Sequence, residues 1–194
     1  MNELKAIAKI NQEVKSIVYA AENISLTATN AILVANQSGL NAVGFSVVAR
    51  ELRMFSERMA IAMQGLLELI YQQLVATAAL RHQAHNLELL NKTGAYGGLA
   101  QTRIATACAR NQAAVDELER IIESQMHSLQ VSIKRIRKQC ATGLVIARSA
   151  GIEAAHGGAM VGVLRQIAQV VTEVTDNILM RVKTLQLRLT ETGL

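Results

Sequence analysis

Apolar residues in the N-terminal segment fall at Ile7, Ile10, Val14, Ile17, Ala21, Ile24, Ala28, Ala31 and Ala35, in steps that alternate between three and four. That spacing keeps one narrow stripe facing a partner, which is the seam of a coiled-coil helix. Asn36, Gln37, Ser38 and Gly39 supply polar and φ-permissive residues that end the helix, and Gly44 closes a short connection. A second helix repeats the spacing in Val48, Leu52, Phe55, Met59, Ala62, Leu66 and Leu69, then continues through Leu80 and Leu87 to about Leu90. The glycines of Asn91-Lys92-Thr93-Gly94-Ala95-Tyr96-Gly97-Gly98 make the strongest break in the chain and predict a reversal. A third helix is expected from about Leu99, with Ile104, Cys108, Val115, Leu118, Ile122, Leu129, Ile133, Ile136 and Cys140 along its apolar side. The phase moves by one residue between Ile122 and Leu129, which reads as a local adjustment of the supercoil and not as a boundary. Gly143, Gly151, Gly157, Gly158 and Gly162 blur the next stretch. Met160, Leu164, Ile167, Val171, Val174, Ile178, Val182, Leu185 and Leu189 then mark a fourth helix.

Four long helices joined by short turns pack antiparallel in chain order. The pattern therefore predicts an all-α fold: a long antiparallel four-helix coiled-coil bundle, one domain over 1–194, with a first hairpin over 1–90 and a second, weaker one over 99–194. At 1.5 Å per residue the second helix alone spans roughly 65–70 Å, which predicts a rod. Composition agrees. Proline is absent and 51% of residues are hydrophobic, yet only 3% are aromatic, so a thin seam of Ala, Leu and Ile is expected in place of a broad core.

The net charge of +5 is too small to indicate a nucleic-acid partner, and none is expected. Cys108 and Cys140 stand far apart without a secretory signal, which favours reduced thiols and a cytoplasmic protein. No run of about 18 consecutive apolar residues occurs, so no membrane span is expected.

Residues 28–56, read without a gap, resemble the hairpin tip of the cytoplasmic signalling domain of methyl-accepting chemotaxis receptors. Asn30, Ala31, Leu33, Ala35, Gly39, Gly44, Phe45, Val47, Val48, Ala49, Glu51, Leu52 and Arg53 carry the likeness, and Gly-Phe-Ser-Val-Val-Ala-Arg-Glu-Leu-Arg is its most specific run. The resemblance implies a tip that works by protein–protein contact with the chemotaxis coupling protein and histidine kinase, or with another protein that recognises a receptor-like tip. Asn30 and Val47 are implied in the coupling-protein surface and Phe45 in the packing of the tip. This chain departs from the family where charge matters. Val34 replaces a glutamate, Gln37 an arginine and Leu40 a second glutamate, while Arg50 replaces an acidic residue. Lost charges alter which partner is selected.

A weaker echo follows at 147–158, where Ile152-Glu153-Ala154-Ala155 repeats the family tetrad ahead of Gly158, and Asn30 to Gly39 map onto Ser149 to Gly158 at a constant offset of 119 (149 less 30). Two readings stand. Tandem hairpins could form a pseudo-dimer from one polypeptide, a monomer sufficing and a homodimer remaining open, or Ala- and Gly-rich helix ends could simply look alike. Gln72-Gln73 before Ala76-Thr77 resembles a methylation pair, a sequence common in helical bundles.

Elsewhere the candidate chemistry is thin. His82 and His85, three apart, have the spacing of a metal pair with only Glu88 near them, and no metal is expected. Ala84-His85-Asn86-Leu87 resembles the site of a histidine phosphotransfer domain, although Glu88 and Leu89 stand where that family carries lysine and glycine. Lys134, Arg135, Arg137 and Lys138 read as a solvated face interrupted by Ile133 and Ile136. No catalytic grouping, phosphate loop or Cys-x-x-Cys pair occurs, so neither an enzyme nor a cofactor is expected. The expected function is that of a cytosolic, chemotaxis-receptor-like signalling or adaptor protein. Its site is the first tip (Asn30, Val34, Gly39, Leu40, Gly44, Phe45, Val47, Glu51, Arg53), with a second tip at Glu153 and Gly158. The alternatives are a phosphotransfer-type bundle using His85 and a non-catalytic scaffold.

Overall fold

A computed structural model of the protein describes residues 2–37, 43–94, 101–155 and 161–191, and all of them are α-helical. The helices are α1 (Asn2–Gln37), α2 (Val43–Gly94), α3 (Gln101–Ala155) and α4 (Val161–Glu191). α2 runs four residues beyond the Leu90 expected from its pattern. α3 passes straight through Gly143 and Gly151, because isolated glycines weaken a helix without stopping it when packing on both sides holds the backbone.

The chain divides into two compact units. The first, Met1–Leu67 with Ser132–Gly193, is bundle-like. α1 buries Val14, Ile17, Ala21, Ile24, Ala28 and Ala31, an unbroken three-four alternation, and it packs along α4. α2 buries Phe45, Ala49, Leu52, Ser56, Met59, Met63 and Leu66, α3 Ile133, Ile136, Cys140, Ala147, Ala150 and Ala154, and α4 Ala168, Val171, Thr175, Ile178, Val182 and Leu185. In heptad letters these are the a and d positions. One hydrophobic cluster, Ala31, Phe45, Ala49, Ala150, Ala154, Ile167 and Ala168, draws on all four helices.

Polar and close contacts set the helix neighbours. The Ser56 hydroxyl donates to the Ala21 carbonyl at 2.6 Å and ties α2 to α1. Arg181 donates to Glu13 at 3.1 Å and ties α4 to α1. The Phe55 ring lies on the backbone of Gly143, where an added Cβ would stand 2.6 Å from the ring, and so ties α2 to α3.

The seam differs by one residue from the predicted one at four places. Ala49, Met63, Ile70 and Thr175 are buried where Val48, Ala62, Leu69 and Val174 were expected, and those four are half-buried. Near Phe45 the buried neighbours are mostly alanine, and Val48 packs on the flank of the core. Thr175 is tolerated inside because its hydroxyl bonds back to the Val171 carbonyl at 2.8 Å.

The second unit, Glu68–Val131, contains only α2 and α3 residues among those described. Here Ala76, Val115 and Leu129 are buried, while Leu80, Leu87, Leu90, Ile104, Cys108, Leu118 and Ile122 are half-buried. Cys108, expected in the core, is thus only partly covered, and its thiol lies 3.4 Å from the Asn91 carboxamide oxygen. The phase shift after Ile122 leads into the division between units at Val131, where the sequence suggested no boundary.

Candidate partner-binding tip

The residues singled out from the sequence occupy three settings. Phe45 is 1% exposed and shares a buried cluster with Ala31, Ala49, Ala150, Ala154, Ile167 and Ala168. Mostly small neighbours leave room for its ring. Val34, placed by the sequence among the tip residues, is half-buried against the same cluster.

Outside this layer, Asn30, Glu51 and Arg53 are exposed and Val47 is 54% exposed. Helical spacing explains the split: with Phe45, Ala49 and Leu52 inward, Val47 takes the outermost heptad position, while Glu51 and Arg53 flank Leu52. The Arg53 guanidinium donates to Glu57 at 3.1 Å, one turn along the surface. An exposed pair of this kind stabilises by at most about 1 kcal/mol, so a partner's carboxylate competes for Arg53 at small cost.

Gly44 and Glu153 meet. A Cβ added at Gly44 would collide with the Glu153 carboxylate, so the first residues of α2 and the end of α3 lie against one another. Gly44 was expected to free a turn. It lies instead within α2, and its requirement is space for its neighbour. Gly39, Leu40 and Gly158 lie outside the described residues.

The offset between the two tips extends far past the matching letters. Adding 119 carries the α1 core (Val14, Ile17, Ala21, Ile24, Ala28, Ala31) onto Ile133, Ile136, Cys140, Gly143, Ala147 and Ala150, every one buried. It carries Ala49, Leu52, Ser56, Met59, Met63 and Leu66 onto Ala168, Val171, Thr175, Ile178, Val182 and Leu185, also buried. An offset of whole heptads preserves the seam phase in any coiled coil.

The other constellations separate from the tip. Lys134, Arg135, Arg137 and Lys138 are exposed. His82 and His85 are exposed, and His85 Nδ1 is 3.9 Å from the Glu88 carboxylate. Lys92 bonds and attracts that carboxylate, holding Glu88 below its ordinary pKa, and an anion beside His85 opposes its phosphorylation. Among the described residues no three His, Cys, Asp or Glu side chains gather as a metal site would require. Gln73 is buried, with neither side-chain polar atom hydrogen-bonded, which withdraws it from an enzyme's reach. Burial pushes the Cys140 thiol up to about 11. An open groove of about 850 Å³ between α1 and α4, lined by Lys15, Tyr19, Asn23, Asn177 and Arg181 among others, had no signal in the sequence, because it depends on which helices become neighbours.

The sequence reading also missed the character of the outer surface. Between Glu22 and Arg50 the chain carries no charged residue, and Leu26, Leu33 and Val47 stand exposed in that interval. Stretches of α1 (Gln12–Val34) and α2 (Gly44–Gly94) are in fact long and apolar enough to span a bilayer. A count of consecutive apolar residues overlooks them, since their apolar residues lie in two stripes, one inside the core and one facing out. No family model, curated protein or solved structure matches this chain.

Proposed function

We propose that the protein is a cytoplasmic signalling adaptor, built like a chemotaxis-receptor tip and acting by protein–protein contact where α1 meets α2. In this reading the four helices form an antiparallel coiled coil of two tandem hairpins, folded on one another as a pseudo-dimer. The observation that carries the reading is the arrangement at the tip. Phe45 is buried in a cluster of Ala31, Ala49, Ala150, Ala154, Ile167 and Ala168 drawn from all four helices, while Asn30, Val47, Glu51 and Arg53 are exposed near it in sequence.

Two further observations support it. Gly44 against Glu153 brings the first tip beside the second. The pairs Ala28–Leu52 and Ala21–Ser56 run in opposite chain directions, as a hairpin requires. A rigid plug with small residues around it is suited to presenting a fixed surface, because nothing inside has to rearrange on binding. The chemistry available outside is one valine, one asparagine, the Glu51 carboxylate and the Arg53 guanidinium, which Glu57 holds lightly. That set fits a partner groove with an apolar floor and a polar rim.

The test is co-purification of the full chain with the chemotaxis coupling protein and kinase of the source organism. Wild type is expected to be retained and Val47→Glu to be lost while keeping its helicity, Val47 being exposed. Retention of neither protein, or of both equally, rejects the adaptor reading.

A further inference from the structure

The groove between α1 and α4 lies wholly within the first compact unit. Its α1 wall carries Lys15, Tyr19 and Asn23 and its α4 wall Glu173, Asn177 and Arg181, each set spaced by four and so aligned along one side of its helix. Two contacts orient the walls. Arg181 reaches Glu13, two residues before Lys15, while Val171, two residues before Glu173, shares a core cluster with Ala28. Lys15 and Arg181 therefore stand at one end of the groove, and Asn23 and Glu173 at the other. Eight residues of α1 separate the two ends, about 12 Å along the helix. Tyr19, 66% exposed, and Val174 supply an apolar stretch between them.

The ends differ in charge. The Arg181 guanidinium donates from Nε to the Asn177 carboxamide oxygen at 2.7 Å and from one terminal nitrogen to Glu13 at 3.1 Å, so it is held in place with its second terminal nitrogen left over. Lys15 has no hydrogen-bond or ion-pair partner among the described residues. Glu13 thus balances one of two cations, and an excess of positive charge remains. At the far end the Glu173 carboxylate accepts from the neutral Gln169 amide at 3.0 Å and meets no cation among the described residues. The Asn23 carboxamide and the free amide nitrogen of Asn177 line the way between the two charges.

We infer that this groove binds a short, extended peptide by its free termini, the carboxylate at Lys15 and Arg181 and the ammonium at Glu173. Opposite charges at the two ends disfavour a molecule charged alike at both, and a lone phosphate satisfies one end only. Length and hydrogen bonding select a peptide among molecules that carry a charge at each end. An extended chain advances about 3.3–3.6 Å per residue, so about four residues reach from end to end. Its N–H and C=O groups meet the Asn23 and Asn177 carboxamides, which an alkyl chain would cover without pairing. The guanidinium is already fixed by Asn177 and Glu13, so little ordering of Arg181 is left to offset binding. The inference goes beyond the proposed adaptor role and does not rest on it, since peptide binding is measured without any partner of the tip.

The experiment is titration of the full chain with tetra-alanine, its N-acetylated form and its C-amidated form, read by calorimetry and saturation-transfer NMR, with circular dichroism for helicity. Tetra-alanine is expected to bind one to one, and each cap to weaken binding by about fivefold. Lys15→Gln, at an exposed site, is expected to weaken tetra-alanine by a similar factor and to leave the C-amidated peptide unchanged. Glu173→Gln, also exposed, is expected to weaken tetra-alanine and to leave the N-acetylated peptide unchanged. Should either variant lose helicity, the two caps on the wild-type protein decide. No binding of tetra-alanine up to about 10 mM, or binding that neither cap changes, overturns the inference. So do variants that weaken free and capped peptides alike, or displacement of tetra-alanine by sodium phosphate together with indifference to the acetyl cap, which would mark a simple anion site.

Discussion

In the unit formed by Met1–Leu67 and Ser132–Gly193, α2 buries Ala49, Ser56 and Met63, whereas five heptads beyond the first two of these, in Glu68–Val131, the equivalent positions of the same helix are Ala84 and Asn91, both exposed. α3 behaves likewise. Ile133, Cys140, Ala147 and Ala154 are buried at position a, while Ala105, Gln112 and Glu119 at that position are exposed. Leucine recurs at position d in both units, Leu52 and Leu66 in one and Leu80 and Leu87 in the other, with Gln73 standing between them. A helix that meets partners on two sides buries both a and d. One that meets a single partner buries d and the position beside it on the partner's side, here Ala76, Gln83 and Leu90 on α2 and Ile104, Asn111 and Leu118 on α3, most of them half-covered. The change at position a therefore accompanies the number of helices around the pair, and in α3 the apolar companion of d moves from Leu118, ahead of Ile122, to Ile133, after Leu129.

The largest test of the contrast places the same charge at equivalent alanines of one helix. Ala49→Lys puts an unpaired ammonium into a core at 0% exposure and is expected to cost several kcal/mol. Ala84→Lys, at an exposed site, is expected to stay within about 0.5 kcal/mol. Thermal unfolding followed by circular dichroism measures both, and similar losses would erase the distinction between the units.

Gly143→Ala comes next. The Phe55 ring occupies the space of the new methyl, so a loss of about 1–3 kcal/mol is expected. Phe55→Leu in the same chain should recover part of it, and a double-mutant cycle reads that coupling. In the second unit the opposite sign is expected at Gln73. Replacing its unsatisfied carboxamide by Gln73→Leu should raise stability by about 1–2 kcal/mol in denaturant titration.

The smallest effect concerns the two thiols, one per unit. Cys108 is partly exposed and should react with a soluble disulfide reagent at neutral pH, whereas Cys140 should react only as fast as the protein opens. Because burial lifts the Cys140 thiol from an ordinary 9.0 to about 11, its contribution is complete below pH 9. As pH rises from about 9 towards 11 the unfolded chain releases a proton that the folded one retains, and stability falls across that window. Cys140→Ala should flatten that slope, which thermal melts at successive pH values would show.

Much of this molecule was legible in the letters. With no proline, little aromatic content and a three-four alternation in every segment, no other secondary structure could bury the apolar residues, and the breaks at Gly39 and Gly94 placed the helices within a few residues. The burial pattern over 45–53 was legible too, since Phe45 had to be inside if Val47, Glu51 and Arg53 were out. What the letters left open was phase where two neighbouring residues were both apolar. Val48 and Ala49, or Leu69 and Ile70, serve a seam equally well until the facing helix decides which volume fits.

Neighbourhood lay beyond the sequence altogether. The sequence by itself determined helices, breaks and the inward stripe, because these follow from spacing and backbone preference within a few turns. Only the tertiary structure decided that Gly44 must lack a side chain to admit Glu153, that Phe55 needs Gly143, and that Ala28 shares a core cluster with Leu52. Each of these depends on the register between segments far apart in the chain, and register is set by the summed packing of whole helices, to which any single residue contributes little.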